Sequence, residues 1–234
     1  NDLQLDRMQR RRGLQQLVDR QARLLDRSVE ARGFDDYYEK AIAMLTSEKV
    51  RAAFDIESEP QALRDRYGRT TYGQGCLLAR RLVEEGIRYV EVNYGGWDMH
   101  QELYEKLDTR AEVLDSAMSS LLRDLNSRGL LKETLVVLAT EFGRTPTINV
   151  NAGRDHHPSV FSGVLAGAGI RAGQAYGVSD DKGFSVDADP VSIEDFNATI
   201  ASAAGLDTTT EFFSPSGRPF KIGGGGTPVK ELLL

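Results

Sequence analysis

The chain contains 234 residues, of which 40% are hydrophobic and 27% are charged, as is typical of a globular protein that buries a core. Its net charge of −6 argues against nucleic acid as a partner, because proteins that bind DNA or RNA present a basic surface. No stretch approaches the roughly 20 apolar residues of a membrane-spanning helix. The single cysteine, Cys76, excludes an internal disulfide and a cysteine-rich zinc site.

The chain begins without a methionine, and no apolar segment of a signal peptide follows Asn1. We therefore expect it to be a piece of a longer protein. Residues 3–66 show helical periodicity, with apolar side chains recurring at spacings of three and four. Within this part, Ser47 is expected to cap a helix over residues 48–54, and Pro60 is expected to start another.

The middle of the chain alternates between helical and strand patterns. Amphipathic periodicity predicts helices over residues 74–85 and 101–128. Strands are predicted over residues 87–94, 134–140 and 159–166, the second of them apolar enough to be buried on both faces. This alternation indicates an α/β fold, with a mostly parallel sheet flanked by helices and a helical N-terminal segment.

The last quarter of the chain contains many turn-forming residues. The glycine-rich residues 167–183 predict turns or a hairpin. A helix over residues 190–204 is expected to have Ser192 as its N-cap and to end at Gly205. The four glycines of residues 223–226 predict a flexible turn.

The length of the chain fits one domain over residues 1–234. We divide it into a helical segment, residues 1–70, and an α/β core, residues 71–234. No internal repeat is visible in the sequence.

Three polar clusters follow or precede predicted strands, at the edge where an open α/β sheet binds its ligands. Together they contain all three histidines of the chain. The clusters are Asp98 and His100 in the motif GGWDMH, Glu141 and Arg144 after the second strand, and Asp155, His156 and His157 in the motif GRDHHP. Carboxylates and imidazoles gathered from separate loops suit zinc, manganese or iron.

Residue spacing sharpens this hypothesis. In an extended segment, residues two apart point to the same side, so Asp98 and His100 are expected to bind one ion together. By the same rule, His156 and His157 point in opposite directions. Only one of the two then binds a given metal, and the other serves a second metal, a substrate or a hydrogen bond.

Each of these residues also has a structural interpretation. For Asp98 and His100 the alternative is a turn that contains a hydrogen-bonded histidine. Trp97 is interpreted most simply as a packing residue that covers its loop. The alternative for Glu141 is that it caps the following helical turn, and the alternative for Arg144 is that it forms an ion pair with Glu141.

Other catalytic motifs are absent from the sequence. It contains neither a P-loop nor GxGxxG, and the GxSxG motif of a nucleophilic serine does not occur. Cys76 lies in an apolar helical segment and is interpreted as a buried packing residue rather than a nucleophile.

Five ordered segments carry a family resemblance: YGQGCLLARRLVEEGIRYVEV, GGWDMH, LVVLATEFGRTP, GRDHHP and SGRPF. With them the chain resembles, from its helical start to nearly its last residue, the family known as domain of unknown function 1501. The resemblance implies membership of the alkaline phosphatase and sulfatase superfamily, α/β enzymes whose metal ions activate a nucleophile against phosphate or sulfate esters. It therefore implies a metal-dependent hydrolase with a divalent cofactor, zinc or alternatively manganese or iron.

The resemblance also implies roles for particular residues. GGWDMH is similar to the superfamily segment in which an aspartate and a nearby histidine bind one metal, here Asp98 and His100. GRDHHP is similar to the later segment that returns a histidine to that metal, here His156 or His157.

The segment LATEFG resembles the strand end at which the superfamily has Asp-His-Gly. Glu141 is expected to replace the aspartate as a ligand, whereas Phe142 cannot bind a metal, so a single-metal or altered site is expected. In a hydrolase, Arg144 or Arg154 would offset negative charge on the ester oxygens, and Asp155 is a further candidate substrate-binding residue.

The nucleophile of the superfamily follows a first strand near the N-terminus, and no strand is predicted before the helices of this chain. We therefore expect the nucleophile-bearing part to be missing and this chain alone to be inactive. Turnover of aryl phosphates or sulfates by the purified chain would contradict that expectation.

Two further functions stay open at this point. The first is a non-catalytic binding or scaffold protein of the cell envelope with an alkaline phosphatase-like fold, and the second is a phosphomutase-type transfer. The expected ligand of the hydrolase is a small-molecule or glycan phosphate or sulfate ester, and a homo-oligomer is left open. The resemblance implies an exported or periplasmic protein, although a cytoplasmic location stays open as well.

Overall fold

The structure of the protein is a computed structural model that describes residues 41–44 and 47–234. Residues 41–44 are helical. Five longer α-helices follow in the described chain: α1 (Glu48–Phe54), α2 (Gln61–Tyr67), α3 (Thr71–Glu84), α4 (Leu103–Ser127) and α5 (Ile193–Ala203). The predictions for residues 1–40, which make up most of the expected helical segment, lie outside the described residues.

The strands of the described chain are short. They are β1 (Leu135–Leu138), β2 (Gly143–Arg144), β3 (His156–His157), β4 (Val164–Gly167), β5 (Val178–Ser179), β6 (Val186–Ala188), β7 (Glu211–Phe213) and β8 (Pro219–Lys221). Short helical turns lie at Ile56–Ser58, Leu130–Lys132, Ile222–Gly225 and Lys230–Leu232. The described chain is therefore a mixed helix and strand protein.

The predicted parallel sheet is wrong for the described residues, where strands pair only as two-stranded antiparallel sheets. The pairs are β1 with β4, β2 with β3, β5 with β6 and β7 with β8. A parallel pair needs a crossover connection, usually a helix. No helix lies between β1 and β4, where the chain forms loops and the β2–β3 pair and then returns in the opposite direction.

The strand predicted over residues 87–94 is also wrong. This segment forms no ladder with any described strand, although its alternating pattern has a physical cause. Val92 and Tyr94 pack against the helical core, and the ring of Tyr94 stacks on Tyr72 with centroids 4.5 Å apart. The apolar residues of β1 were expected to be buried on both faces, but Val137 is 37% exposed, and β1 pairs with β4 alone in its sheet.

The helical predictions that fall on described residues are confirmed, with boundaries that differ from the predicted ones by at most three residues. Ser47 Oγ accepts a hydrogen bond from Val50 N at 3.4 Å, and Ser192 Oγ accepts one from Asp195 N at 3.0 Å. Pro60 immediately precedes α2. These side chains satisfy amide groups that have no partner within the first helical turn.

The glycine run of residues 223–226 is packed, contrary to the flexible turn that was predicted. A Cβ on Gly223 would lie 2.6 Å from the Cα of Ala198, and one on Gly226 would lie 2.1 Å from the carbonyl carbon of Glu194. Only glycine permits this close approach of the segment to α5. The hairpin expected within residues 167–183 involves β5, whose partner β6 lies just beyond that range.

The hydrophobic core lies between α2, α3 and α4. Its most buried members include Tyr67, Leu77, Ala117 and Leu125, which are at most 1% exposed. Cys76 belongs to the same cluster, and burial raises the pKa of its thiol to about 11. This confirms its interpretation as a packing residue, because a buried thiol that stays protonated is a poor nucleophile. None of the described helices combines the length and apolarity needed to cross a bilayer.

A buried ion network joins the same helices. The side chain of Arg80 on α3 is 1% exposed and contacts three carboxylates. Its Nη2 lies 2.6 Å from Glu59 Oε1, its Nε lies 3.0 Å from Asp124 Oδ2 on α4, and its Nη1 pairs with Glu84. Tyr67 at the end of α2 donates its hydroxyl to Asp124 at 3.1 Å. The network therefore connects α2, α3, α4 and the segment before α2 through one guanidinium.

We expect Arg80→Met to destabilise the protein, because it removes the buried cation shared by Glu59, Glu84 and Asp124. Arg81 still pairs with Glu59, and Arg128 still pairs with Glu84 and Asp124. Breaking such a network by removing one partner lowers the free energy of unfolding by about 3–5 kcal/mol. Arg69→Met is the matched control, since Arg69 pairs with Asp65 at the surface, where an ion pair contributes about 1 kcal/mol or less. Urea unfolding measures both variants, and equal losses of stability would contradict the importance of the buried network.

Acid is expected to weaken the same network. Burial raises the pKa of Asp124, but the Arg128 and Arg80 guanidinium groups outweigh it, so its net pKa lies below the ordinary value. The pKa of Glu59 is likewise lowered by Arg80 and Arg81 against the effect of burial. Because a lowered pKa stabilises the fold above the unfolded-state value, this stability is lost as the pH falls below about 4. The melting temperature should fall there, and it should fall less steeply in Asp124→Asn.

Candidate metal centre

The motif GGWDMH forms an extended loop that leads into α4. Met99 is 5% exposed, and the ring of Trp97 meets the ring of Tyr94 edge-on with centroids 5.5 Å apart. Asp98 and His100 alternate with these packing residues, and His100 Nε2 lies 2.9 Å from Asp98 Oδ1. Trp97 thus packs the loop onto the core, as its structural interpretation predicted, while Asp98 and His100 meet on the exposed side.

The loop that contains GRDHHP lies directly against GGWDMH. The backbone N–H of Arg154 donates to Met99 O at 3.0 Å, and Asn149 Nδ2 donates to His100 O at 3.0 Å. Gly153 makes this approach sterically feasible, because a Cβ at that position would lie 2.0 Å from the carbonyl carbon of His100. Backbone contacts, rather than the edge of a sheet, therefore bring the two motifs together.

His156 and His157 form strand β3, and consecutive residues of a strand point to opposite sides. His156 Nε2 lies 3.0 Å from Asp98 Oδ1. His157 Nε2 instead donates to Phe184 O at 2.9 Å, in the hairpin that joins β5 and β6. Of the two histidines, the structure brings His156 to Asp98 and His100 and directs His157 away from them.

The structure thus places three potential metal-binding atoms in a nearly equilateral triangle. The distances are 2.9 Å between His100 Nε2 and Asp98 Oδ1, 3.0 Å between His156 Nε2 and Asp98 Oδ1, and 3.1 Å between the two Nε2 atoms. A tetrahedral zinc ion with bonds of about 2.0–2.1 Å holds its ligands about 3.3–3.4 Å apart. The triangle therefore needs to expand only slightly to accept such an ion, so this donor set fits a divalent metal.

A second carboxylate orients one of these histidines. Asp155 Oδ1 lies 2.9 Å from His100 Nδ1 and accepts a further hydrogen bond from Asn149 Nδ2 at 3.0 Å. When Asp155 accepts the Nδ1 proton of a neutral His100, the Nε2 lone pair faces Asp98 Oδ1. Two lone pairs at this distance repel each other unless a cation or a proton lies between them. Metal-binding histidines commonly have this carboxylate partner, which fixes their tautomer.

Hydrogen bonds keep both aspartates of the site ionised. The bond from His156, followed by the bond from Arg144, lowers the pKa of Asp98. His100 and then Asn149 lower the pKa of Asp155. Both side chains consequently carry a negative charge at neutral pH, which is the form that attracts a metal ion and stabilises a bound imidazole.

The other predicted site residues lie outside the triangle. Glu141 Oε1 accepts a hydrogen bond from Arg144 Nη2 at 3.2 Å, which matches the ion-pair alternative for these residues. Arg154 Nη1 instead donates to Thr145 O at 2.6 Å. Arg144 itself contacts Asp98 through Nη1. Among the expected arginines it is therefore Arg144 that lies next to the candidate metal ligands.

Sequence reasoning missed three residues that shape this site. Asn149 joins the two loops, Gly153 permits their close approach, and the ring of Phe142 lies against that of His156 with centroids 4.6 Å apart. For Phe142 the sequence indicates only that the side chain cannot bind a metal. The turn-forming stretch NVNAG, whose glycine is the first residue of GRDHHP, indicates a tight loop, but nothing local in the sequence indicates the partner of that loop.

A match to a known protein family covers almost the whole chain. The model of a family described as "Protein of unknown function (DUF1501)" matches residues 1–233. The chain belongs to the DUF1501 family. No curated protein and no solved structure matches it. For this DUF1501 protein, the geometry of the site is therefore the main source of functional inference.

We expect Gly153→Ala to disrupt the site of this DUF1501 protein, because the new methyl group collides with the backbone of His100. Overpacking of this kind lowers the free energy of unfolding by about 1–3 kcal/mol, or the melting temperature by about 2–10 °C. Thermal unfolding measures the effect.

The matched control is Gly95→Ala, in the GGWDMH motif itself. A Cβ at Gly95 meets nothing within 4 Å, so its stability should change by about 0.5 kcal/mol or less. If Gly153→Ala were as stable as Gly95→Ala, the two loops would not lie as close together as the structure places them.

Proposed function

We propose that this protein contributes the metal centre of a metal-dependent hydrolase of phosphate or sulfate esters. The observation that supports the proposal most directly is the triangle of Asp98 Oδ1, His100 Nε2 and His156 Nε2, whose sides measure 2.9–3.1 Å. Two imidazoles and one carboxylate form a donor set typical of catalytic zinc, and manganese and iron accept the same ligands. The resemblance of GGWDMH and GRDHHP to superfamily metal-binding segments supports the same assignment.

Each residue has a defined task in this proposal. Asp98, His100 and His156 would hold the metal, which when bound would supply a Lewis acid for a phosphoryl or sulfuryl oxygen. Asp155 accepts the proton on His100 Nδ1 and so directs Nε2 toward the other ligands. Phe142 packs against His156 and limits the movement of its ring. With three protein ligands, a bound metal would have room for an oxygen of the substrate.

Arg144 is the residue that recognises the anion. It is the arginine next to Asp98, whereas the guanidinium of Arg154 is engaged with Thr145 O. A guanidinium matches the planar pairs of oxygens on phosphate and sulfate groups and neutralises their charge. We infer a small-molecule or glycan ester as the substrate and an exported or periplasmic location, both from the superfamily resemblance.

The metal site is tested by titrating zinc and manganese into metal-free protein in a calorimeter. We expect about one equivalent to bind. At a metal concentration of about 100 times Kd, the protein should gain about 2.7 kcal/mol of stability, which raises its melting temperature by about 5–10 °C. His156→Gln should abolish most of this binding, because it removes one of three ligands.

His157→Gln is the matched control, since it changes the neighbouring histidine that contacts Phe184 O instead of Asp98. It should bind metal as the wild type does. Protein that carries less than about a tenth of an equivalent of metal and is not stabilised by zinc or manganese would contradict the hydrolase. That result would favour a non-catalytic binding protein.

A further inference from the structure

We propose that Arg144 neutralises Asp98 in the metal-free protein and that metal binding releases one end of its guanidinium to hold an oxyanion. This inference rests on the proposed function and assigns a mechanism of coupling between the metal and the phosphate or sulfate group. Arg144 is thus a competitor of the metal and a partner of the substrate.

The position of Arg144 follows from strand pairing. It lies in β2 opposite His156 in β3, so its side chain emerges beside a candidate metal ligand. The side chain is 20% exposed and uses its two terminal nitrogens on different carboxylates. Nη1 contacts Asp98 Oδ1, and Nη2 lies 3.2 Å from Glu141 Oε1.

The contact with Asp98 places two cations in competition for one atom. Asp98 Oδ1 is the oxygen of the donor triangle, and it is also the oxygen that accepts the hydrogen bond from Arg144. A divalent ion bound to this oxygen withdraws its negative charge and repels the guanidinium. The side chain of Asp98 is 59% exposed, so a metal ion from solvent can reach it.

The second end of Arg144 has no such competitor. Glu141 lies outside the donor triangle and pairs with Nη2, and the Cζ of Arg144 lies 5.5 Å from the centroid of the Phe142 ring. These two contacts would hold the guanidinium near the metal site when Asp98 binds the metal and no longer accepts the hydrogen bond from Nη1. Nη1 then has an unsatisfied donor beside a cation, which is an arrangement that suits an oxygen of a tetrahedral anion.

This assigns new roles to two residues of the motif EFGR. Glu141 becomes a positioning residue that holds Arg144, rather than a metal ligand. Phe142 becomes the apolar surface against which both Arg144 and His156 lie.

The competition is tested by measuring the zinc affinity of Arg144→Met by calorimetry. Removing the competing cation should tighten zinc binding about 3- to 10-fold relative to the wild type. Lys106→Met is the matched control. Lys106 lies in the first turn of α4 and pairs with the exposed Glu102, so the substitution also removes one positive charge. It should leave the zinc Kd within about twofold of the wild-type value.

The coupling to anions is tested with inorganic sulfate, which remains soluble with zinc. In the wild type, saturating zinc should tighten sulfate binding by at least about fivefold, and this gain should shrink by at least about threefold in Arg144→Met. Glu141→Gln should also lose part of the gain while it retains zinc binding. That combination would not arise if Glu141 were a metal ligand.

The outcomes separate the two proposals. If the wild type binds no metal, the proposed function fails and this inference fails with it. If the wild type binds zinc but Arg144→Met and the wild type have equal affinities for zinc and sulfate, the metal site stands and the role of Arg144 is overturned.

Discussion

A guanidinium that is almost completely buried must find its counter-charges inside the protein, and this requirement organises the helical part of the chain. Arg80 meets it with carboxylates from the segment before α2, from α3 itself and from α4. Each of these elements is held at a definite distance and rotation, because an ion pair without water tolerates little displacement. The apolar cluster around Leu77 and Leu125 fills the remaining space between the same helices.

The placement of the site depends on that helical frame. Residues 87–94 leave α3 and cross the core, where Tyr94 stacks on Tyr72, and the following loop enters α4. The loop of Asp98 and His100 is thereby anchored at both of its ends to elements joined by Arg80. The second loop is held by contacts of Asn149, Gly153 and Arg154 with the first loop. It also accepts a hydrogen bond at Ala152 O from the amide of Leu103, the first residue of α4, and His157 bonds to Phe184 O. One half of the site is therefore held between α3 and α4, and the other half rests on the first half and on the start of α4.

The sequence predicted the parts of the fold that depend on local interactions. Helical periodicity and the caps at Ser47 and Ser192 involve residues three or four apart, so their signals are visible in a single sequence. Strand pairing is non-local, and the alternating pattern of residues 87–94 arises from packing of Val92 and Tyr94 rather than from a strand partner. Asp98, His100 and His156 were expected to meet at the edge of a parallel sheet. They meet instead because two loops exchange hydrogen bonds, which no local pattern encodes.

Because the donor atoms come from two distant segments, an ion held by both would act as a removable cross-link. His100 and His156 are 56 positions apart, so a bound ion would close a loop of that size within the chain. Because the three donor atoms come together in the folded chain, the free energy of binding the ion would add to the free energy of unfolding. A protein whose single cysteine is buried could in this way gain the stability of a covalent bridge, and lose it again wherever the metal is scarce.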